Sequence, residues 1–443
     1  MTENTTQTMF FKDFFGKKVA VDFKGGEVSS DAGLLFLRET ESDIGLIKRV
    51  AGAIHDKRHP GYVKHKTIQL LTQRVFQIAA GYENGNDSDT LRYDPILKIA
   101  CNQNDSLASQ PTMCRFENAP DHKTLYRISE TLVENFISSY SAPPKSIILD
   151  LDDTADPTYG AQQLSLFNAH YDCHCYLPLH IYEGSSAKLV ATVLRPGKRP
   201  SAKEVVTIFK RIIKKIRQAW PEVGIILRGD AHFSSPAIYD FCAANDLKYV
   251  FGFKAYPPLK QRVINLVSKA RELYQDTQKT VKLFTEIYYK ADSWPSAKRI
   301  ICKAEYNNMG ANTRFIITNL THSKYRFIYE TVYCTRGAME LMIKEHKNHL
   351  CSDRTSCSSF AANQFRLLLH SMAYILVHAF REQHLKQTEF ARAQFNSIRL
   401  YLFKIGARVR MLSTRIKIHL PTAYPFKQDL EKIWRSCCIS GYS

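Results

Sequence analysis

Between residues 146 and 254 the chain alternates strand-length apolar runs with helical ones, and this order fixes a mixed α/β layer. SIILDLDDT, YLPLHIYEG and KLVATVLRPG read as three successive strands divided by polar turns. A basic amphipathic helix from Ser201 to Trp220 follows. Strand GIILRGDAHF, helix SPAIYDFCAAND and strand KYVFGFK complete the layer. Carboxylates at the ends of such strands project into the crevice where α/β sheets bind ligands.

The flanks read differently. Residues 1–140 are expected to form a mainly helical region after an apolar and basic opening with one strand, KKVAVDF. SSDAGLLFLRETESDIGLI starts with N-cap residue types. VKHKTIQLLTQRVFQIAAGY is an amphipathic helix with Lys64, Lys66 and Arg74 among its polar positions, and ENGNDSD is a turn or loop. SAPPKS at 141–146 marks the main boundary, and 146–254 is the first part of the α/β core. Over 255–330 a basic helix and the runs FTEIYYK, KRIICKAEY and TRFIITNL predict a β-rich insertion. Residues 331–384 return to the core and include a long apolar helix over 360–381. Residues 385–443, with eleven Lys/Arg against three Asp/Glu, form a basic tail expected to be helical.

A net charge of +19 points to a polyanionic partner, nucleic acid before anionic membrane, which makes residues 1–140 the expected DNA-binding region. No apolar run is long enough for a transmembrane helix, and the N-terminus lacks the basic start and apolar run of a signal peptide. The eleven scattered cysteines fit reduced cytosolic thiols rather than a disulfide framework.

The chemistry is carried by three acidic signals. Asp152 closes the apolar strand IILDLDD, and Asp230 follows GIILRGD. Asp150 points the same way as Asp152 and is the alternative first acid; Asp152 is preferred as nearer the strand end. Farther on, Tyr333, Arg336, Glu340 and Lys347 lie at offsets of 3, 7 and 14. At ~100° per residue these share a helix arc of about 60°. Glu345, at an offset of 12, falls off that arc, so Glu340 is the better ligand. Three carboxylates from separate elements suit Mg²⁺, and a pair of such ions can drive in-line phosphoryl displacement. Arg336 and Lys347 suit DNA phosphates, and Tyr333 can add a hydrogen bond or stack on a base.

The pattern Y-x2-R-x3-E-x6-K, filled here by YCTRGAMELMIKEHK, resembles the signature of bacterial insertion-sequence transposases of the DDE class. SSDAGLLFLRE, HKTIQLLTQRVFQIAAGYENGNDSDTLRYDP, LASQPTMCRFEN, and the Thr154 and RGDAHF contexts of the two aspartates resemble its group 1 branch. The resemblance implies a ribonuclease-H-like catalytic core, in two parts over 146–254 and 331–384, with a β insertion between Asp230 and Glu340. It implies Mg²⁺, with Mn²⁺ able to substitute, and catalytic and metal-binding roles for Asp152, Asp230 and Glu340. It also implies DNA contacts from Tyr333, Arg336 and Lys347. The partners would be double-stranded DNA, as terminal inverted repeats and target, and a second copy in a synaptic dimer. The setting would be the bacterial cytoplasm, at the nucleoid and without a membrane.

Other signals carry less. DLDDT also fits a phosphohydrolase nucleophile loop of the haloacid-dehalogenase type using Asp150 and Asp152, but Ser234 stands where a late acidic partner is expected. Cys173, His174 and Cys175 lack a second ligand pair for zinc, and His346, His349 and Cys351 read as surface or packing residues. A DNA-binding protein that keeps the fold without chemistry is the rival from another class.

Overall fold

The computed structural model describes residues 8–198, 201–292 and 294–438. They divide into two compact units, one formed by 1–47, 56–116 and 376–443, the other by 48–55 and 117–375.

The second unit is built on an eight-stranded mixed sheet. From one edge its order is Val281–Tyr289, Lys298–Asn307, Gly310–Thr318, Lys248–Phe253, Gly224–Gly229, Ser146–Asp153, Leu179–Glu183 and Leu189–Val193. Gly224–Gly229 runs parallel to both its neighbours, and the outer pairings are antiparallel. Alternation along Ser146–Asp153 sends Ile147, Leu149 and Leu151 into the main core and leaves Asp150 and Asp152 on the other face. The core face is covered by the helix Ala202–Ala219, which buries Val205, Phe209, Ile212, Ile213 and Ile216 at helical spacing. That helix is capped by Ser201, whose hydroxyl accepts from the Glu204 N–H at 3.3 Å.

The β-rich insertion expected over 255–330 supplies three strands, Val281–Tyr289, Lys298–Asn307 and Gly310–Thr318. Gly310–Thr318 pairs with Lys248–Phe253, so they extend the core sheet. The boundary at 141–146 falls inside the second unit, where the helix His122–Ser138 packs beside the edge strand Leu189–Val193. ENGNDSD is not all loop, because the helix Asp87–Leu91 begins within it.

In the first unit, Arg74 is buried rather than polar surface, donating to the Tyr82 and Glu83 carbonyls at 3.1 and 2.6 Å. The basic tail is not wholly helical either. Its strand Ala407–Met411 pairs with Ile416–His419 and with Val28–Ser29. Its Lys404 forms a 2.7 Å ion pair with buried Asp31. No helix among the described residues is long and apolar enough to cross a membrane.

Candidate active site

Asp152 and Asp230 are carried by neighbouring parallel strands. The register pairs Arg228 with Asp150 and Gly229 with Leu151, so both aspartates fall at the same end of the sheet. The Asp152 carboxyl is raised to about 6, by burial first, with the Asp230 and Asp153 charges adding to the rise and Arg336 opposing it. Asp230 Oδ1 accepts from the His232 N–H at 2.9 Å, which holds its turn. Burial alone would raise Asp153, but His232 and Arg195 bring it below the ordinary carboxylate range. Its ion pair with Arg195 measures 2.8 Å.

The segment with the basic residues does not keep one winding. Ile328–Tyr333 is a π-helix, Cys334–Gly337 a 3₁₀-helix, Ala338–Lys344 an α-helix and Glu345–His349 again a π-helix. Three of its four singled-out side chains meet the site. Arg336 Nη2 donates to Asp152 Oδ2 at 2.8 Å. Tyr333 stands against the Asp230 turn, and Gly252 makes this approach possible. A Cβ on Gly252 would lie 2.9 Å from both the Tyr333 hydroxyl and the Ala231 amide nitrogen. Lys347 Nζ donates to Thr154 Oγ1 at 3.1 Å and to the Ala155 carbonyl, and lies 3.5 Å from Asp156.

The fourth, Glu340, is exposed and makes no hydrogen bond or ion pair among the described residues. Glu345 is buried, which leaves Glu340 the accessible carboxylate of the two. Asp150, the alternative first acid, is fully buried and held by Arg228 through both oxygens. It is therefore closed to an outside ligand. His346 is a buried core residue, its Nδ1 within 2.9 Å of the Tyr182 hydroxyl.

For a divalent cation the donor chemistry fits in part. Asp152 and Asp230 supply two neighbouring carboxylates, and a cation between them would offset the Asp230 charge that adds to the burial-driven rise of Asp152. Among the described residues, no three His, Cys, Asp or Glu side chains are gathered as a metal site. In this state Arg336 supplies the countercharge at Asp152.

Sequence reasoning missed Arg228, although an arginine inside the apolar run IILRG had to find a buried anion, and Asp150 stands opposite it. It also missed Tyr171, whose phenol is raised by burial and by the Asp153, Asp152 and Asp230 charges. Nothing in the sequence joins that residue to the strand ends.

The family model for the transposase DDE domain, group 1, matches residues 11–437, and the chain belongs to that family. No curated protein sequence matches it significantly. Among solved structures it is similar to a piggyBac transposase synaptic complex with hairpin DNA, at 10% identity and a TM-score of 0.41. That match covers 85% of this chain and 80% of the other.

Proposed function

We propose that this chain is a bacterial insertion-sequence transposase that binds the terminal inverted repeats of its element and cuts and rejoins DNA on a ribonuclease-H-like core. The reading is carried by the placement of Asp152 and Asp230 at one sheet end, with Arg336 and Tyr333 held against them. Asp152, Asp230 and Glu340 would hold Mg²⁺, or Mn²⁺ in its place, with Glu340 brought in when DNA is bound. When bound, the cation supplies stabilisation of the charge that develops on the phosphate oxygens.

Arg336 leaves Asp152 for a phosphate oxygen, which exchanges one charge-assisted hydrogen bond for another. Tyr333 positions the scissile end. Lys347 keeps the loop after Asp153 in place through Thr154 and Ala155, and takes its phosphate contact from that position. Water adds to the phosphorus, and the P–O3′ bond breaks to free a 3′-hydroxyl. That hydroxyl then attacks a target phosphorus and displaces the target's own 3′ oxygen. Both element ends would be held by a dimer at the nucleoid, in the cytoplasm.

The exposed position of Glu340 favours one competing reading, a DNA-binding protein on the same fold that performs no cleavage. The test is Mg²⁺-dependent cleavage of a plasmid carrying the coding segment with its native flanking DNA. The wild-type chain is expected to cut and Glu340→Ala to bind without cutting. Cutting by Glu340→Ala overturns the catalytic assignment, and no cutting by the wild type favours the binding-only reading.

A further inference from the structure

Arg228 takes no part in the proposed chemistry, yet its guanidinium joins all three elements of the acidic site. It is 1% exposed. Nε and Nη2 donate to the two oxygens of Asp150, the second at 2.6 Å. Nη1 donates to the Val332 carbonyl and to the Thr335 hydroxyl. The Thr335 hydroxyl in turn donates to the Thr331 carbonyl at 2.9 Å. Arg228 thus sits two residues before Asp230, and its anion sits two residues before Asp152. Its other acceptors immediately precede Tyr333 and Arg336.

The grip falls where the helical segment passes from π to 3₁₀ winding. The Val332 carbonyl at this change of winding accepts from Arg228 and also lies 3.2 Å from the Thr335 hydroxyl. A buried guanidinium is tolerated only with its partners in place, so a shift of the segment would strip it of two acceptors. Gly184 clears the space: a Cβ there would lie 2.6 Å from Arg228 Nη2 and from Asp150 Oδ2.

We propose that Arg228, with Asp150 as its counterion, is a positioning residue that sets the register of the Tyr333–Arg336–Glu340 segment against the strands ending at Asp152 and Asp230. This rests on the acid assignment given above. The full-length chain is compared with Thr335→Val and Arg228→Lys, with Asp152→Asn and Glu340→Gln as controls. The readouts are plasmid cleavage, its Mg²⁺ dependence, Mn²⁺ binding followed by electron paramagnetic resonance, and hydrogen exchange of the 332–340 amides.

Thr335→Val removes one acceptor at an exposed position. It is expected to stay folded, melting somewhat below the wild type, and to cleave about tenfold more slowly. It should also need more Mg²⁺ for half-maximal rate, bind Mn²⁺ more weakly and exchange faster at 333–337. Arg228→Lys should show the same changes more strongly. Wild-type cleavage, metal dependence and exchange in Thr335→Val overturn the proposal, whether or not Arg228→Lys folds. If the two carboxylate controls cut normally, the acid assignment falls. Exchange at 333–337 in Thr335→Val then decides the positioning role alone, and unchanged protection overturns it.

Discussion

Replacing Arg336 by alanine should tighten metal binding to the DNA-free protein while lowering DNA cleavage. Arg336 and Asp152 are paired at 2.8 Å, with both side chains 19% exposed. Unit charges ~4 Å apart attract by about 4 kcal/mol at an effective dielectric constant near 20. Partial solvent access reduces the competition a cation must overcome to roughly 1–2 kcal/mol. Its removal converts to about 5- to 30-fold tighter Mn²⁺ binding. The titration, read from the free-Mn²⁺ resonance signal, is run well above pH 6, because Asp152 is raised to about 6 and loses its cationic neighbour in the variant. Cleavage should fall because the same guanidinium is proposed to hold a phosphate. Unchanged or weaker Mn²⁺ binding in Arg336→Ala would refute the reasoning, since Arg336 would then not be competing for the cation's place.

Gly252→Ala should lower stability by roughly 1–3 kcal/mol and slow cleavage, as the new Cβ meets the Ala231 backbone and the Tyr333 hydroxyl at 2.9 Å. Melting and plasmid cutting check this, and wild-type values for both count against it. Lys347→Met removes the cation beside Asp156, whose carboxyl burial has already pushed up to about 7. Protonation of that carboxyl limits the loss to about 1–3 kcal/mol, and adding Asp156→Asn should recover most of it in urea unfolding. Burial lowers His180 to about 3 and also depresses His346. Against an unfolded value near 6.5, both contribute stability present above that pH and lost as pH falls. The slope is about 1.4 kcal/mol per pH unit for each group, so His346→Gln should flatten the acid limb of a stability–pH curve.

The strands that carry the site were legible because each writes its own burial pattern. IILDLDD and GIILRGD alternate or run apolar and stop at polar turns, which places Asp152 and Asp230 at neighbouring ends. The helix arc was legible in part: Tyr333, Arg336 and Lys347 do turn toward the site. The fixed ~100° step could not foresee its changes of winding, which depend on partners such as Arg228 on another strand. Strand runs alone did not reveal that the 281–318 strands join the core sheet, because pairing with Lys248–Phe253 is a long-range choice. Arg74 was misread for a related reason. A helical position that looks polar can be buried when nearby carbonyls wait to be capped.

The central claim is that Asp152, Asp230 and Glu340 serve one metal-dependent site. Anomalous scattering from Mn²⁺ in a DNA complex of the full chain tests it most directly. The account predicts metal density contacted by all three carboxylates, with two ions about 4 Å apart and Arg336 moved from Asp152 to a phosphate. Density held elsewhere, or a DNA-bound state in which Glu340 still faces solvent away from the two aspartates, would contradict it.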